Sequence, residues 1–237
     1  MPTEDLPAEL TLRPATPDDA TAMADIHVDA REANLGSMPP MVHSRATTHS
    51  WMADRLAGSS EGWVAEKDGR IVGYLVLSQD WLDDLYLAPD VYGSGIGSAL
   101  LDVAKSRRPD GFLLWVFESN AGARRFYRRH GLVELERTDG STNEEHSPDV
   151  RMAWPGADPL QFFRDLIDDV DGELGDLLAR RAALTAAVQP YKPVAERDPE
   201  RERAIVDAVA ARAPDLGRDR VARIVHAIIT ESLDAAN

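Results

Sequence analysis

Two groups of residues have the types and spacing for chemistry. The first surrounds a glycine-rich turn, Tyr92-Gly93-Ser94-Gly95-Ile96-Gly97-Ser98, set between the apolar run Trp81 to Leu87 and a helical pattern that follows. Glycines let backbone approach a ligand closely, and a helix N-terminus aims free N–H groups at an anion such as a phosphate. By itself this turn reads equally as a phosphate cradle or as a tight strand-to-helix connection. It is not the dinucleotide pattern, because no Gly-x-Gly-x-x-Gly follows a first strand with an acid ~20 residues on. Asp83 and Asp84 end the strand before it, either as a proton acceptor or as solvated strand ends. The second group lies on helical faces that want apolar residues. Arg181 sits in a heptad seam between Leu177 and Leu184. Glu202 precedes Ile205 and Val209 by three and seven positions, and Ser232 continues the stripe Val221, Ile224, Val225, Ile228. Burying such groups costs several kcal/mol unless they are paired or bind something. The two readings are an internal Arg181–Glu202 ion pair and a small buried site for a polar, anionic ligand. Lys192 belongs with them: of 26 basic residues only Lys67, Lys105 and Lys192 are lysines, so a lysine where arginine is the default asks for a reason.

The elements that must position these residues fall into two halves. All five Trp, and all 16 Gly except Gly172, Gly175 and Gly217, precede Ala157. The junction Trp154-Pro155-Gly156-Ala157-Asp158-Pro159 reads as a linker, which gives domains 1–155 and 156–237. In the first half, strands are expected over Glu9 to Arg13, Trp63 to Ala65, Ile71 to Leu77, Trp81 to Leu87, Phe112 to Phe117, 132–137 and 149–154. Asp68-Gly69 between two apolar runs marks a hairpin. Thr16-Pro17-Asp18-Asp19 starts a helix, with Thr as cap, Pro at the first position and acids in the first turn. Further helices are expected over about 44–57, after the glycine-rich turn, and from Ala121 to about His130. This is an α+β (α/β) unit with a mixed central sheet and helices on its faces. In the second half Phe163, Ile167, Val170, Leu174, Leu177, Arg181, Leu184 and Val188 step by 4, 3, 4, 3, 4, 3, 4, a heptad seam on one helix. At ~1.5 Å per residue that helix runs ~43 Å. Two shorter helices, about 199–212 and 218–234, cannot cover such a rod. The second half is therefore an all-α, three-helix domain that needs a partner chain, and a homodimer is expected.

Composition narrows the function. With 41 acidic and 26 basic residues the chain carries −15, split as −10 over residues 1–156 and −5 over 157–237. Nucleic acid and anionic membranes both need a basic face, so neither is an expected partner. Without cysteine there is no disulfide, thiolate zinc site or cysteine nucleophile. No apolar run reaches ~18 residues and the N-terminus has no basic stretch before an apolar core, so a cytoplasmic protein is expected.

The order β-α-α-β-β-β-turn-α-β-α-β-β resembles the GNAT superfamily of N-acetyltransferases over about residues 9–154. The family's Arg/Gln-x-x-Gly-x-Gly/Ala turn is met by Gly95 and Gly97, with Tyr92 in the Arg/Gln place. A second stretch, Asn120-Ala121-Gly122-Ala123-Arg124-Arg125-Phe126-Tyr127-Arg128-Arg129-His130-Gly131-Leu132, is similar to the family's Asn-x-x-Ala-x-x-Phe-Tyr-x-x-x-Gly-Phe element. The resemblance implies acetyl-CoA as cosubstrate and a small amine as acceptor. It implies that amides of Tyr92, Gly93, Ser94, Gly95, Ile96, Gly97 and Ser98 hold the pyrophosphate. Main chain at Leu85, Tyr86 and Leu87 would polarise the acetyl carbonyl, Asn120 would hold the pantetheine arm, and Tyr127 would protonate the departing thiolate. For the base, Asp83 and Asp84 stand beside the reacting position, Asp84 being taken as the catalytic one. Glu118, His146 and the Asn143-Glu144-Glu145 loop are further candidates that the sequence does not separate.

The second half, from about 159 to 235, resembles the all-helical class of chorismate mutase. The run from Phe163-Arg164-Asp165 to Leu177-Leu178-Ala179-Arg180-Arg181, then Tyr191-Lys192, Asp198-Pro199-Glu200-Arg201-Glu202 and Ile228-Ile229-Thr230-Glu231-Ser232, follows the family's motifs in order. The resemblance implies that Arg181 and Ser232 bind the ring carboxylate of chorismate or a close amino analogue. Arg164, from the partner subunit, and Lys192 would bind the enolpyruvyl carboxylate, with Lys192 also on the ether oxygen. Glu202 and the backbone at Asp198 would hold the ring hydroxyl, with Arg201 nearby. No metal is implied. Three residues depart from the family pattern: Pro190 and Pro193 flank Lys192, and Ala236 stands where the family usually has a second ether-oxygen donor. The expected whole is a bifunctional fusion; its rival is an acetyltransferase whose helical half only dimerises or senses a ligand.

Overall fold

The computed structural model describes residues 10–191 and 198–235. Glu9, Lys192, Pro193 and Ala236 lie outside the described residues. The chain divides into two compact units, Met1–Phe163 and Arg164–Asn237.

The first unit is built on strands β1 (Leu10–Pro14), β2 (Glu61–Lys67), β3 (Arg70–Ser78), β4 (Trp81–Leu87), β5 (Phe112–Phe117), β6 (Val133–Thr138) and β7 (Asp149–Trp154). Its helices are α1 (Ala20–Ala33), α2 (Arg45–Ala57), α3 (Ile96–Arg107) and α4 (Ala121–Arg129). The sheet order is β1-β2-β3-β4-β5-β7-β6. Every neighbouring pair is antiparallel except β4 and β5, which run parallel, so the sheet is mixed as the alternation of patterns predicts. Asp68 and Gly69 connect β2 to β3 with φ of 52° and 73°, the left-handed pair that a tight hairpin turn needs. Asp19 gathers the N–H and hydroxyl of Thr16 at 2.7 and 3.0 Å and the guanidinium of Arg13 at 2.8 Å, which fixes the entry to α1. Ser44 caps α2 by accepting from Thr47 N–H at 3.2 Å. Tyr74, Phe112, Met23, Met52, Leu75, Leu77, Ile96 and Leu100 fill the core.

Two irregularities in the middle of this sheet matter for function. Leu77 pairs with Leu82 and Val76 with Asp84, so Asp83 is an extra residue, a bulge that re-aims the strand's side chains. The parallel β4–β5 ladder holds only Trp81 to Leu113, with Leu113 N–H on Asp80 O at 2.8 Å. Beyond that pair the strands splay. Residues 83–87 of β4 therefore show one backbone edge to a wedge rather than to a neighbouring strand.

The second unit is helical among its described residues. α5 (Pro159–Val188) enters it from the first unit, and α6 (Pro199–Arg212) and α7 (Arg218–Asp234) follow. Asp198 caps α6, accepting from Glu200 and Arg201 N–H at 3.0 Å each, with Pro199 at the first helical position. α6 and α7 pack through Val221, Val225 and Ile229 against Ile205, Val206, Ala210 and Leu233. The buried face of α7 steps by fours from Val221 to Ile229 and ends at Ser232. Ile224, placed on that stripe from the sequence, instead lies 50% exposed, because the packed row rotates one position away from it. No side chain of α5 is buried: Leu184 is 66% exposed, Ile167 and Val170 57%, Leu177 51%. Along the heptad seam Ile167, Val170, Leu174, Leu177, Leu184 and Val188 lie exposed, while Phe163 and Arg181 are half-buried.

Candidate active sites

The splay between β4 and β5 opens a cavity of about 780 Å³. Leu82, Asp83, Leu85, Tyr86 and Leu87 of β4 form one wall, and Trp115, Val116 and Phe117 of β5 face them. Tyr92 and Gly93 of the turn, Asn120 at the cap of α4, and Phe126 and Tyr127 of α4 complete the lining. In the turn Gly93 and Gly95 have φ of 77° and 85°, and Gly95 is the N-cap of α3. Ala99 N–H is bonded to Gly95 O at 3.1 Å, so the amides before it belong to the first turn, where no intrahelical acceptor exists. Asn120 caps α4 through its carbonyl oxygen, 3.0 Å from Ala123 N–H, which reserves its Nδ2 donors for other use. Tyr127 is 8% exposed; burial, and then the charges of Tyr86 and Asp84, push its hydroxyl well above the usual range. It remains a proton donor at neutral pH.

A second cavity, of about 480 Å³, opens on the side of the sheet that α1 and α2 cover. It shares Asp83, Tyr86, Trp115, Phe117 and Glu145 with the first. The register explains this. Tyr74 and Tyr86 are directly paired across β3 and β4, and His27 of α1 bonds the Tyr74 hydroxyl at 3.0 Å, so Asp84, two residues before Tyr86, points to the α1 side. Asp84 is 7% exposed. Burial pushes its carboxyl up to about 6; Arg55 pulls it down and Asp83 adds to the rise. Arg55 of α2 reaches Asp83 at 2.5 Å and Asp84 at 3.7 Å, and its guanidinium lies 4.8 Å over Trp51. Arg31 of α1, 5% exposed, binds Glu145 at 2.9 Å and Pro39 O at 3.2 Å, while His43 binds Glu144 at 2.7 Å. Burial pushes His27 down to about 4, with Arg31 and Arg55 adding to the effect, so its ring is neutral. Burial, with the charge of Asp84, pushes Tyr86 up to about 12.

In the second unit a cavity of about 580 Å³ is lined by Arg181, Asp198, Arg201 and Glu202 among apolar Leu184, Val188, Ile205, Ile229 and Leu233. Arg181 Nη1 donates to Ser232 Oγ at 2.5 Å and to Ile228 O at 3.2 Å, which ties α5 to α7. Ser232 is 7% exposed and in turn donates to Ile228 O at 2.6 Å.

Several residues singled out from the sequence meet in this way. Leu85, Tyr86, Leu87, Tyr92, Gly93, Asn120 and Tyr127 line the first cavity, Asp84 the second, and Arg181, Asp198, Arg201 and Glu202 the third, with Ser232 bonded to Arg181. Ser94 turns both its hydroxyl and its N–H back to Val91 O, at 2.7 and 3.3 Å, and the Ile96 side chain is fully buried, so of these two residues it is the Ile96 amide, in the first turn of α3, that lacks an intrahelical acceptor. Ser98 bonds His130 at 3.0 Å and locks α3 to α4. Arg164 is exposed and outside the cavity that Arg181 lines, and Lys192 lies outside the described residues. Sequence reasoning missed His27, Arg31, Trp51, Arg55 and Trp115. Met23, His27 and Arg31 are four apart on α1, so two polar groups on a buried helix face were a readable signal. Nothing comparable marks Arg55.

A family model described as "Acetyltransferase (GNAT) domain" matches residues 58–134, and one described as "Chorismate mutase type II" matches residues 163–236. The chain is 30% identical over 105 residues to Peptidyl-lysine N-acetyltransferase YiaC of Escherichia coli strain K12, covering 43% of this chain and 68% of that protein. It is 34% identical over 97 residues to Peptidyl-lysine N-acetyltransferase YjaB of the same strain, covering 40% and 65%. Among solved structures, a GCN5-related N-acetyltransferase from Rhodopseudomonas palustris superimposes with a TM-score of 0.52 at 26% identity, over 65% of this chain and 99% of that one. The solution structure of apo YjaB from Escherichia coli gives 0.52 at 24% identity, over 62% and 99%, which speaks to the fold.

Proposed function

Because the chain belongs to the GNAT family of acetyltransferases and carries a chorismate mutase type II domain behind it, we propose that it transfers an acetyl group from acetyl-CoA to a primary amine and, separately, rearranges chorismate or its 4-amino-4-deoxy analogue. The chain is thus a bifunctional enzyme fusion, and we propose its domain boundary at the Pro155-Gly156 linker, a few residues before the division into compact units after Phe163. The observation that carries the first activity is the wedge between β4 and β5, which joins the glycine turn, the unpaired edge of β4 and Tyr127 in one cavity. Acetyl-CoA fits this wall. The turn amides around Gly93 to Gly97 would take the pyrophosphate, Asn120 Nδ2 the pantetheine amide, and backbone N–H at Leu85 to Leu87 the thioester oxygen. Asp84 accepts the proton from the amine, directly or through one water, and Tyr127 protonates the leaving sulfur. The relatives' names give a lysine in a peptide as acceptor; what carries over here is a primary amine. Release of free thiol from acetyl-CoA in the presence of amines tests this activity. No thiol release with any amine, in a chain that fails to bind acetyl-CoA, would contradict it.

For the second activity the carrying observation is that Arg181, bonded to Ser232, lines one cavity with Arg201, Asp198 and Glu202. A carboxylate fits Arg181 and Ser232, and a ring hydroxyl fits Glu202. The rearrangement needs a held conformer and charge stabilisation at the breaking C–O bond rather than an acid or a base. Lys192 supplies that charge in this reading. The uncovered seam of α5 supports a homodimer in which Arg164 reaches the partner's cavity. Among the described residues no helix is long and apolar enough to cross a membrane. Together with the acid excess this supports a cytoplasmic enzyme of small-molecule substrates, not a nucleic-acid or membrane partner. Loss of chorismate in the presence of the full chain tests the activity.

A further inference from the structure

Within the acetyltransferase reading, on which this inference rests, we propose that the acyl acceptor is a free amino acid with an aromatic side chain: its α-nitrogen at Asp84, its carboxylate on Arg31 and Arg55, and its ring among Trp51, Trp115 and Phe117. Among the described residues four buried side-chain polar atoms form no hydrogen bond, namely Arg31 Nε, Arg55 Nε, Asp84 Oδ2 and Arg151 Nε. Three of the four belong to residues lining the 480 Å³ cavity. Buried polar atoms are almost always paired, since each left unpaired costs about 1–3 kcal/mol. The guanidinium groups of Arg31 and Arg55 and the carboxyl of Asp84 line this one cavity, and a ligand that offers oxygen to the first two and N–H to the third complements them.

That pairing separates classes of amine. The ε-amine of a lysine can bring nitrogen to Asp84, but it ends four methylenes that carry no oxygen, so it offers nothing to Arg31 and Arg55. A simple alkyl or aryl amine fails in the same way. An α-amine carries its carboxyl group on the next carbon. Charge points to a zwitterion. Asp83, Asp84, Glu144 and Glu145 line this cavity together with the guanidinium groups of Arg31 and Arg55 and the neutral ring of His27. A simple anion would meet the acids, while a zwitterion adds no net charge and places each pole beside its opposite. A peptide N-terminus offers the same α-amine beside a neutral carbonyl; guanidinium groups favour the carboxylate, whose hydrogen bonds are charge-assisted. The three aromatic rings give the side chain π-faces and apolar area.

In the transfer, the ammonium first gives one proton to Asp84 and on to solvent. The neutral nitrogen then bonds the acetyl carbon as the C–S bond breaks. The second proton lost at nitrogen balances the one that the departing sulfur takes from Tyr127. The products are an N-acetyl amino acid and the free thiol.

The test uses the full chain, thiol release from acetyl-CoA, and calorimetric binding in the presence of CoA. The amines are L-phenylalanine and L-tryptophan, phenylalaninamide, a peptide with a free N-terminal phenylalanine, and Nα-acetyl-lysine. The free amino acids should exceed phenylalaninamide, the peptide and Nα-acetyl-lysine by at least tenfold in kcat/KM. Arg31→Gln should bring the acid-to-amide ratio toward one. Equal use of acid and amide, or preference for the peptide or for Nα-acetyl-lysine, overturns the inference while thiol release keeps the acetyltransferase reading. Acetyl-CoA binding with neither binding nor turnover of the free amino acids overturns it as well. Absence of acetyl-CoA binding removes the acetyltransferase reading itself, a different result. The wild-type acid-to-amide ratio decides the matter even if Arg31→Gln fails to fold.

Discussion

Asp84 sets opposing demands on one side chain. Burial holds its carboxyl near 6, above the ordinary value, so the folded chain binds the extra proton and the contribution of this group to stability falls as pH rises from about 4 to about 6. The cost at neutral pH is at most on the order of 3 kcal/mol, at about 1.4 kcal/mol per tenfold in the ionisation constant. Asp84→Asn is therefore expected to raise Tm at pH 7.5 and to lower kcat/KM for acetyl transfer by ~10²–10³. The wild-type rate should climb with pH through about 6, and the variant should lose that limb. A pH–rate profile beside a thermal melt checks both, and unchanged activity would remove Asp84 as the base. His27 has the opposite sign: held down to about 4, it costs stability as pH falls below its ordinary value of about 6.5. Lys192 makes a second prediction at this scale. A compact ammonium can bridge a carboxylate and an ether oxygen where a wide guanidinium fork cannot. Lys192→Arg should lose ~10²–10³ in chorismate turnover, about 2–4 kcal/mol of transition-state stabilisation. Equal turnover would make it a surface charge.

The elements explain why these side chains meet. Gly95 caps α3 at φ 85°, a conformation that a β-branched residue adopts only under strain. Gly95→Val should abolish calorimetric acetyl-CoA binding, and unchanged affinity in a folded variant would sink the pyrophosphate assignment. The turn was legible in the sequence because its signal is local: glycines between a β pattern and a helical one. The strands, the hairpin at Asp68-Gly69 and α5 to α7 were legible for the same reason, since period 2 and period 3.6 are written in adjacent residues. The bulge at Asp83 was not, because an extra residue exists only relative to the partner strand. Nor was the union of Arg31, Arg55 and Asp84, which come from α1, α2 and β4 and meet only once helices pack on one face of the sheet. Arg55 shows the limit most plainly. On α2 it looks like an ordinary surface cation, and its role appears only where the neighbouring strand presents Asp83 and Asp84.

For the molecule as a whole, the division of labour follows from what each unit lacks. The first unit has a filled core and two meeting cavities. The second packs α6 on α7 but leaves Ile167, Val170, Leu174, Leu177, Leu184 and Val188 of α5 exposed along one seam. An apolar stripe of that length is expected to draw a second copy. Light scattering at micromolar concentration should report a dimer, both for the full chain and for a fragment of residues 157–237. Leu174→Lys with Leu177→Lys should give monomers that lose chorismate turnover and keep acetyl transfer; a well-folded wild-type monomer would remove Arg164 from any site. The central claim is that one chain carries two separable active sites. Its most direct test is the rate of loss of chorismate, and of 4-amino-4-deoxychorismate, in the presence of the full chain, its Asp84→Asn variant and its Arg181→Met variant. Wild type and Asp84→Asn should consume one of the two substrates at equal rates, and Arg181→Met should not. A wild-type chain that consumes neither, while still releasing thiol from acetyl-CoA, would contradict the account and leave the helical unit as an interaction module.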